Sequence, residues 1–334
     1  MRHLTLAQAD VLRARRGSSA LLYLTDRCPV GCDHCSVSAL PRPSGTMDDK
    51  LLDRLVGGLC ERPRIRLVGI SGGEPFMERR ALESATGRLA KAGKQLILYT
   101  SGNWGRDDGT APGWTRAVLS RASCVVLSTD SHHAARIPES RYLAALHAAA
   151  STGSWIAVQV LGTPAQTAEA ERLLTAAFGT SWRDRAEIRR TALVRRGRAA
   201  GLTPARSPLP GSSFGVCPLA SAPVVRYDGR LAACCNEDVV TGHGPASLHS
   251  SARDPQELHT SLDALERDPF LRAATAVGLG TLTRLPSYRV LGEQNHQDIC
   301  SLCWSLLDAG AGRDPAVQAI GLAATQPGTP HAQR

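Results

Sequence analysis

Short apolar runs rich in β-branched residues alternate with longer amphipathic runs through the first two thirds of the chain. The apolar runs predict six strands, at 21–25, 65–70, 96–100, 124–128, 155–161 and 188–194. The amphipathic runs between them predict helices at 48–60, 79–92, 115–121, 139–151 and 166–178. Because this alternation is typical of βα units with parallel strands, the sequence predicts an α/β fold.

Polar or glycine-rich loops follow five of the predicted strands. They read DRCPVGCDHC, SGGEPFM, SGNWG, TDSHH and GTPAQ. Parallel α/β folds place their ligand sites at the carboxyl ends of the strands. We therefore expect these five loops to line one pocket.

The composition of the chain changes after the last predicted strand. Residues 203–215 are rich in Pro, Gly and Ser and predict a linker between a core at 19–202 and a smaller α+β domain at 216–308. Within the smaller domain, 223–226 and 231–234 predict a hairpin that turns at Asp228 and Gly229. Residues 1–18 form an N-terminal extension, and 309–334 predict a flexible tail.

Length, composition and charge limit the class of protein. A chain of 334 residues with 43% hydrophobic and 21% charged residues is long enough for one large domain and a smaller one, which excludes a wholly disordered chain. The net charge is +9, but aromatic residues are only 4% and the arginines are dispersed, which argues against nucleic-acid binding. An acidic peptide or another anionic substrate is compatible with this charge.

The N-terminus has neither the apolar segment nor the small-residue cleavage site of a secretory signal. The longest apolar runs are of strand length, far short of a membrane span. We therefore expect a soluble cytoplasmic protein, in which disulfides are rare and grouped cysteines indicate metal or cluster ligation.

Three of the ten cysteines stand together in the loop after the first predicted strand. Cys28, Cys32 and Cys35 have the spacing C-x3-C-x2-C. Three neighbouring thiolates need a cation to hold them. A structural zinc site would need a fourth protein ligand, and none is nearby in the sequence, whereas a cubane iron-sulfur cluster bound by three cysteines keeps one iron open.

A second motif follows the second predicted strand. In Gly72-Gly73-Glu74-Pro75 the glycines allow close backbone approach, and the Glu74 carboxylate can accept hydrogen bonds from an ammonium group. Alone the motif could be a simple strand-to-helix turn with Pro75 near the helix start. Its place on the strand end next to the cysteine loop favours a role in ligand binding.

CPVGCDHC and GGEP together resemble the radical S-adenosylmethionine superfamily. The resemblance implies a partial (β/α)6 TIM-like barrel, a [4Fe-4S] cluster on Cys28, Cys32 and Cys35, and S-adenosylmethionine bound to the fourth iron and to residues 72–75. It also implies reductive cleavage to a 5′-deoxyadenosyl radical with an electron from flavodoxin or ferredoxin. His34 stands where the family usually has an aromatic residue, and its planar ring can still contact the adenine.

Weaker candidates for contacts to the cofactor or substrate follow the third and fourth predicted strands. They are Ser101, Asn103, Ser128 and Asp130. For each, a role as a loop cap or turn residue is an equal alternative. His132 and His133 beside Asp130 suggest acid-base chemistry, but paired histidines are more often solvated surface residues.

A second cysteine group lies in the smaller domain. Cys217 is followed by a spacer and then G-x4-C, which ends at Cys234, and a late C-x2-C pair comprises Cys300 and Cys303. This resembles the SPASM and twitch extensions, and the count of cysteines fits the single-cluster twitch type. The resemblance implies an auxiliary [4Fe-4S] cluster on these four, while a four-cysteine zinc ribbon is the alternative and Cys235 could replace Cys234.

The resemblance leaves three functional hypotheses. The first is crosslinking or oxidation of a ribosomal peptide precursor during natural-product maturation. The second is oxidation, decarboxylation or a related modification of a small polar metabolite such as an aminocyclitol, sugar or nucleoside. The third is a non-catalytic iron-sulfur or zinc protein, which does not account for GGEP. About twenty residues before the first strand are few for a leader-binding module, but the basic charge suits an acidic leader.

Overall fold

The computed structural model of the chain describes residues 3–41, 48–202 and 207–324. All six strands of the predicted βα units are present, close to their predicted bounds. The strands are β1 Ser19–Tyr23, β2 Leu67–Ser71, β3 Gln95–Thr100, β4 Cys124–Ser128, β5 Trp155–Leu161, β6 Ala186–Thr191, β7 Leu209–Pro210, β8 Val224–Arg226, β9 Arg230–Ala232, β10 His249–Ser251 and β11 Asn295–His296.

Helices connect the parallel strands and continue to the end of the described chain. They are α1 Leu6–Arg13, α2 Asp49–Glu61, α3 Arg79–Lys91, α4 Gly113–Leu119, α5 Ser131–Ala134, α6 Glu139–Ser151, α7 Pro164–Phe178, α8 Glu237–Thr241, α9 Pro255–Arg267, α10 Pro269–Ala276, α11 Leu279–Leu282, α12 Arg289–Glu293, α13 Ile299–Asp308 and α14 Pro315–Ala323. Side-chain caps define several starts, as where Asp48 accepts from the backbone at the start of α2.

One sheet holds nine strands in the order β10-β9-β8-β1-β2-β3-β4-β5-β6. Strands β1 to β6 are parallel neighbours, which confirms the predicted α/β class. The predicted hairpin is present as β8 and β9, and β8 pairs in parallel with β1, so that Leu21 faces Val224. The hairpin of the smaller segment therefore extends the main sheet beyond β1.

The two faces of the sheet are covered differently. Val68, Leu98 and Val158 belong to the main core on the helical side. On the other face, Ile97 and Val126 from the middle of β3 and β4 pack with α1 in a second buried cluster. Helix α1 thus covers part of that face.

The sequence predicts a flexible tail for 309–334, but residues 315–323 of that segment form helix α14. It packs against α10, because Gly321 has no side chain and a Cβ there would lie 2.0 Å from the Pro269 carbonyl oxygen. Val317 on the same helix is buried. Residues 325–334, and 203–206 of the predicted linker, lie outside the described residues.

Within the described ranges, no helix is both long and apolar enough to cross a membrane.

Candidate functional site

The first cysteine loop begins directly after β1. Its base is closed where the Cys28 N–H donates to the Leu40 carbonyl at 2.8 Å, and a tight turn joins the Cys35 N–H to the Cys32 carbonyl at 3.2 Å. Cys32 is buried, and Cys28 and Cys35 are half-buried. The loop thus presents its three thiols from one short, folded segment at the carboxyl edge of the sheet.

Burial controls the protonation of these thiols. It raises the pKa of the Cys28 thiol to about 11 and that of Cys32 to about 12, and the neighbouring thiols add to both shifts. The N–H groups of Val30 and Gly31 act in the opposite direction on Cys28. Burial therefore favours the protonated form of Cys28 and Cys32, and a metal or cluster that binds these two thiols must displace their protons.

The glycine motif after β2 holds the start of this loop. The Gly73 N–H donates to the Thr25 carbonyl and the Glu74 N–H to the Arg27 carbonyl, both at 2.7 Å. A Cβ at Gly72 would lie 2.5 Å from the Thr25 oxygen, and one at Gly73 would lie 2.2 Å from the Arg27 oxygen. Only glycines allow this approach, so the motif fixes the cysteine loop to the end of the neighbouring strand.

Glu74 is buried and fully hydrogen-bonded. Its carboxylate accepts from Thr100 Oγ1 at 2.8 Å, from the N–H and Oγ of Ser101 at 2.8 and 2.5 Å, and from the Phe76 N–H at 3.1 Å. Burial raises the pKa of this carboxyl, and the bonds from Ser101 oppose the shift. Glu74 thus joins the ends of β2 and β3, and its role as acceptor for an ammonium group stays a prediction that requires one of these donors to move.

A histidine cluster lies beside Cys32. Asp130 lies 3.0 Å from His34 Nε2 and 3.1 Å from His133 Nδ1, and the His34 ring stacks on His132 with centroids 4.5 Å apart. Burial works against ionisation of Asp130, but the adjacent His133 and His34 rings hold the pKa of that carboxyl well below its usual range. The pair 132–133, which the sequence suggests is solvated, therefore joins the loop after β4 to the cysteine loop.

The other candidates occupy neighbouring loop positions. The Asn103 N–H donates to Ser101 Oγ at 3.4 Å in the turn after β3, and Ser128 ends β4 opposite Gln159. Pro75 starts a 3₁₀ turn, Pro75–Met77. Contacts of these residues to a cofactor stay predictions.

The second cysteine group lines one cavity. Cys217, Cys234, Cys300 and Cys303 are all in its lining, whereas Cys235 is not. The Cys235 thiol donates instead to the Leu219 carbonyl at 3.9 Å. Segments that are far apart in the sequence thus bring together the four cysteines that the twitch resemblance names.

The spacing of these thiols bears on the choice between zinc and a cluster. Zn–S bonds of about 2.3 Å in a tetrahedron place the sulfurs about 3.8 Å apart. Among the described residues, three ligand atoms lie within 4.8 Å of one another only for Cys32, His34 and His133. No three of the four cavity sulfurs therefore lie within 4.8 Å of one another, whereas a formed zinc ribbon would hold all four within that distance.

The sequence does not point to a role for the turn at 196–198, because its arginines are typical of a solvated surface. Arg198 donates from Nε to the Cys32 carbonyl at 2.9 Å and from a terminal nitrogen to the Ala39 carbonyl at 2.8 Å. Its N–H also donates to the Cys35 carbonyl at 3.0 Å. The signal available in the sequence was Arg-Gly-Arg shortly after the last strand of the core.

Arg196 in the same turn contacts the second cysteine group. It donates to Asp238 at 2.9 Å and to Asp298 at 2.6 Å, and its side chain is only 14% exposed. Asp238 lies in α8, which follows Cys234, and Asp298 caps α13, which carries Cys300 and Cys303. One turn therefore holds the segments of both cysteine groups.

A further arginine joins the hairpin to the first loop. Arg226 of β8 is 2% exposed and donates to Asp26 at 2.7 Å, two residues before Cys28. Its guanidinium also lies 4.6 Å above the Tyr23 ring. Since Asp26 and Asp228 already pair with it, this cation holds the chain together rather than offering a free charge to a ligand.

We expect Arg198→Gln to lower the iron retained by the first cysteine loop after anaerobic reconstitution, because the loop loses two side-chain hydrogen bonds. Arg195→Gln is the matched control, since Arg195 is exposed and, among the residues that the structure describes, donates only to Ala200 within its own turn. Iron and sulfide quantification after a desalting step measures the difference. Equal retention by the two variants would show that Arg198 does not support the loop.

No protein-family model matches the chain. YydG of Bacillus subtilis (strain 168), named as a peptide biosynthesis protein, is 25% identical over 114 residues, 34% of this chain and 36% of YydG. A GTP 3′,8-cyclase of Rhodopirellula baltica is 36% identical over 73 residues, 21% of this chain and 20% of that protein. The matches thus span only about a third or less of these relatives.

Solved structures share the fold over most of the chain. Streptococcus suis SuiB bound to S-adenosylmethionine aligns with a TM-score of 0.51 at 12% identity, covering 90% of this chain and 75% of SuiB. Native anSMEcpe with bound AdoMet aligns with a TM-score of 0.51 at 13% identity, covering 91% and 99%. At this identity the likeness shows the fold alone, a TIM-like partial barrel as the sequence predicts.

Proposed function

We propose that this chain is an enzyme of the radical S-adenosylmethionine superfamily that cleaves S-adenosylmethionine reductively and removes a hydrogen atom from its substrate. The observation that carries the proposal is the three-cysteine loop that GGEP holds through two 2.7 Å backbone hydrogen bonds at adjacent strand ends. A non-catalytic cluster or zinc protein would not need this second motif. When bound, the [4Fe-4S] cluster would supply the electron that breaks the sulfonium bond.

The residues of the first cysteine loop fit a [4Fe-4S] cluster. Cys28, Cys32 and Cys35 would bind it, since one short loop presents all three thiols at the carboxyl edge of the sheet. Three thiols leave one iron for the amino and carboxylate groups of S-adenosylmethionine. Residues 72–75 and the turn at 101–103 would surround the methionine end, while His34, Ser128 and Asp130 would contact its adenosine.

The chain's own contribution is to position these groups and exclude water. Glu74 keeps the ends of β2 and β3 in register, and Asp130 fixes the orientation of the His34 ring beside Cys32. Because both carboxylates are more than nine-tenths buried, the site can hold charged groups in fixed positions away from solvent. Flavodoxin or ferredoxin would deliver the electron.

The second cysteine group would bind an auxiliary [4Fe-4S] cluster. Its four thiols line an otherwise largely apolar cavity, and no three of them are as close together as a formed zinc ribbon would require, which favours the cluster. Cys234 is the ligand in this proposal, because Cys235 lies outside the cavity lining. Such a cluster can take up the electron left on the substrate after hydrogen removal, which makes the net reaction a two-electron oxidation.

The substrate class that we favour is the side chain of a ribosomal peptide precursor, crosslinked or oxidised during maturation. Support comes from the peptide-biosynthesis name of YydG and from the net charge of +9, which suits an acidic leader. A small polar metabolite is the second candidate. It is favoured by the names of two relatives, the GTP 3′,8-cyclase and a 7-carboxy-7-deazaguanine synthase of Methanospirillum hungatei that is 31% identical over 81 residues, 24% of this chain.

The reaction can be tested with anaerobically reconstituted chain, dithionite and S-adenosylmethionine. We expect release of 5′-deoxyadenosine, and deuterium in that product when a deuterated substrate of the right class is present. Deuterium from an acidic precursor peptide supports the first class, and deuterium from an aminocyclitol, sugar or nucleoside supports the second. A chain with full iron content that releases no 5′-deoxyadenosine would contradict the proposal that the chain is an enzyme.

A further inference from the structure

Asn236 is an isolated amide in the cavity of the second cysteine group. Besides the four thiols and Trp304, the cavity lining consists of Asn236 and of apolar side chains such as Leu219, Leu248 and Ile299. Asn236 is 1% exposed. A buried amide in apolar surroundings is normally retained for the hydrogen bonds that it makes.

The two halves of this amide are used differently. The Oδ1 atom accepts from the Val239 N–H at 3.1 Å and caps helix α8. The Nδ2 atom is buried, and within the described ranges of the chain it has no hydrogen-bond partner. Because the Val239 N–H requires an acceptor, the amide cannot be reversed, and its two N–H bonds are available to a group in the cavity.

The four thiols of Cys217, Cys234, Cys300 and Cys303 line the same cavity and are the other side chains of its lining that can accept a hydrogen bond. The geometry therefore directs the free amide N–H bonds of Asn236 toward a sulfur-lined space. Sulfur is a weak acceptor as a thiol and a stronger one as a thiolate bound to a metal.

We propose that Asn236 Nδ2 donates an N–H···S hydrogen bond to the sulfur shell of the auxiliary cluster and thereby raises the reduction potential of that cluster. This inference rests on the auxiliary cluster proposed above. A donor at the sulfurs stabilises the extra negative charge of the reduced state, and the apolar lining strengthens the effect because little else screens that charge. Asn236 is thus a positioning and tuning residue, while the four cysteines bind the cluster.

Two variants separate this role from helix capping. Asn236→Ser keeps a neutral acceptor for the Val239 N–H and removes the amide donor. Asn236→Asp keeps both the shape and the cap but offers only acceptors to the cavity. Asp254→Ser is the matched control, since Asp254 caps α9 through the Glu257 N–H and is not part of the cavity lining.

The measurement is a redox titration of both clusters in the full chain, followed by electron paramagnetic resonance. For Asn236→Ser we expect the ratio of reduced to oxidised auxiliary cluster at a fixed potential to fall about tenfold, equal to about 59 mV for a one-electron couple. Asn236→Asp should lower this ratio further, because the aspartate adds negative charge. The first cluster and the Asp254→Ser chain should keep wild-type potentials.

Each outcome decides a separate point. Full iron in both Asn236 variants with unchanged auxiliary potentials would overturn the role of Asn236 and leave the proposed function intact. A wild-type chain with about four irons, or with zinc in this cavity, would instead overturn the auxiliary cluster, and the inference with it. A lower auxiliary potential in both variants supports the N–H···S bond.

Discussion

Cys28→Ala is expected to abolish the release of 5′-deoxyadenosine from S-adenosylmethionine and to remove about four irons per chain. Two thiols cannot hold a cubane with one open iron, so the effect should be complete rather than graded. The loop would keep its fold, because the backbone N–H of residue 28 still donates to the Leu40 carbonyl. Anaerobic iron analysis and chromatography of the reaction products measure both losses.

The control for this variant is Cys60→Ala. Cys60 lies in α2, is half-buried, and belongs to neither cysteine group. Its variant should keep wild-type iron and wild-type product. If Cys28→Ala kept product release at the level of Cys60→Ala, the assignment of the first loop as the cofactor-cleaving site would be wrong.

Cys234→Ala and Cys235→Ala are expected to differ sharply although the two residues are neighbours. Cys234 lines the cavity of the second cysteine group and Cys235 does not. The first variant should lose about four irons and turnover of the substrate, while it still cleaves S-adenosylmethionine at the first loop. The second should keep about eight irons, and iron analysis with separate assays of cleavage and turnover compares them.

The opposite result is equally informative. Loss of iron only in Cys235→Ala would make Cys235 the ligand. Equal iron in both variants, at about four per chain, would contradict an auxiliary cluster. Zinc analysis of the same samples distinguishes a zinc ribbon, because zinc would be lost with Cys234 while the iron content stayed constant.

The two cysteine groups are structurally connected in three ways. Strand β8 pairs with β1, Arg226 pairs with Asp26 just before the first cysteine, and the 196–198 turn contacts both groups. These contacts set the spacing between the groups. The prediction of separate core and smaller domains therefore needs this qualification: the hairpin of the second segment is part of the sheet of the first.

The prediction of the chemistry of the first site depends on the spacing of residues along the chain. Cys28, Cys32 and Cys35 occupy one loop, so their mutual distance depends on a few local dihedral angles. The strands and helices of the βα units were predictable for the same reason, since hydrophobic periodicity is local. The resemblance to the radical S-adenosylmethionine superfamily follows from such local motifs.

Contacts between distant segments were decided only by the tertiary structure. Glu74 meets Ser101 across neighbouring strand ends, and Asp130 joins His34 to the loop after β4. The 196–198 turn reaches both cysteine groups, and four cysteines and Asn236 meet in one cavity. No local sequence pattern predicts these contacts, because they depend on how the whole sheet packs with its helices. In that packing, burial selects partners by their shape and by the need to satisfy each buried polar group.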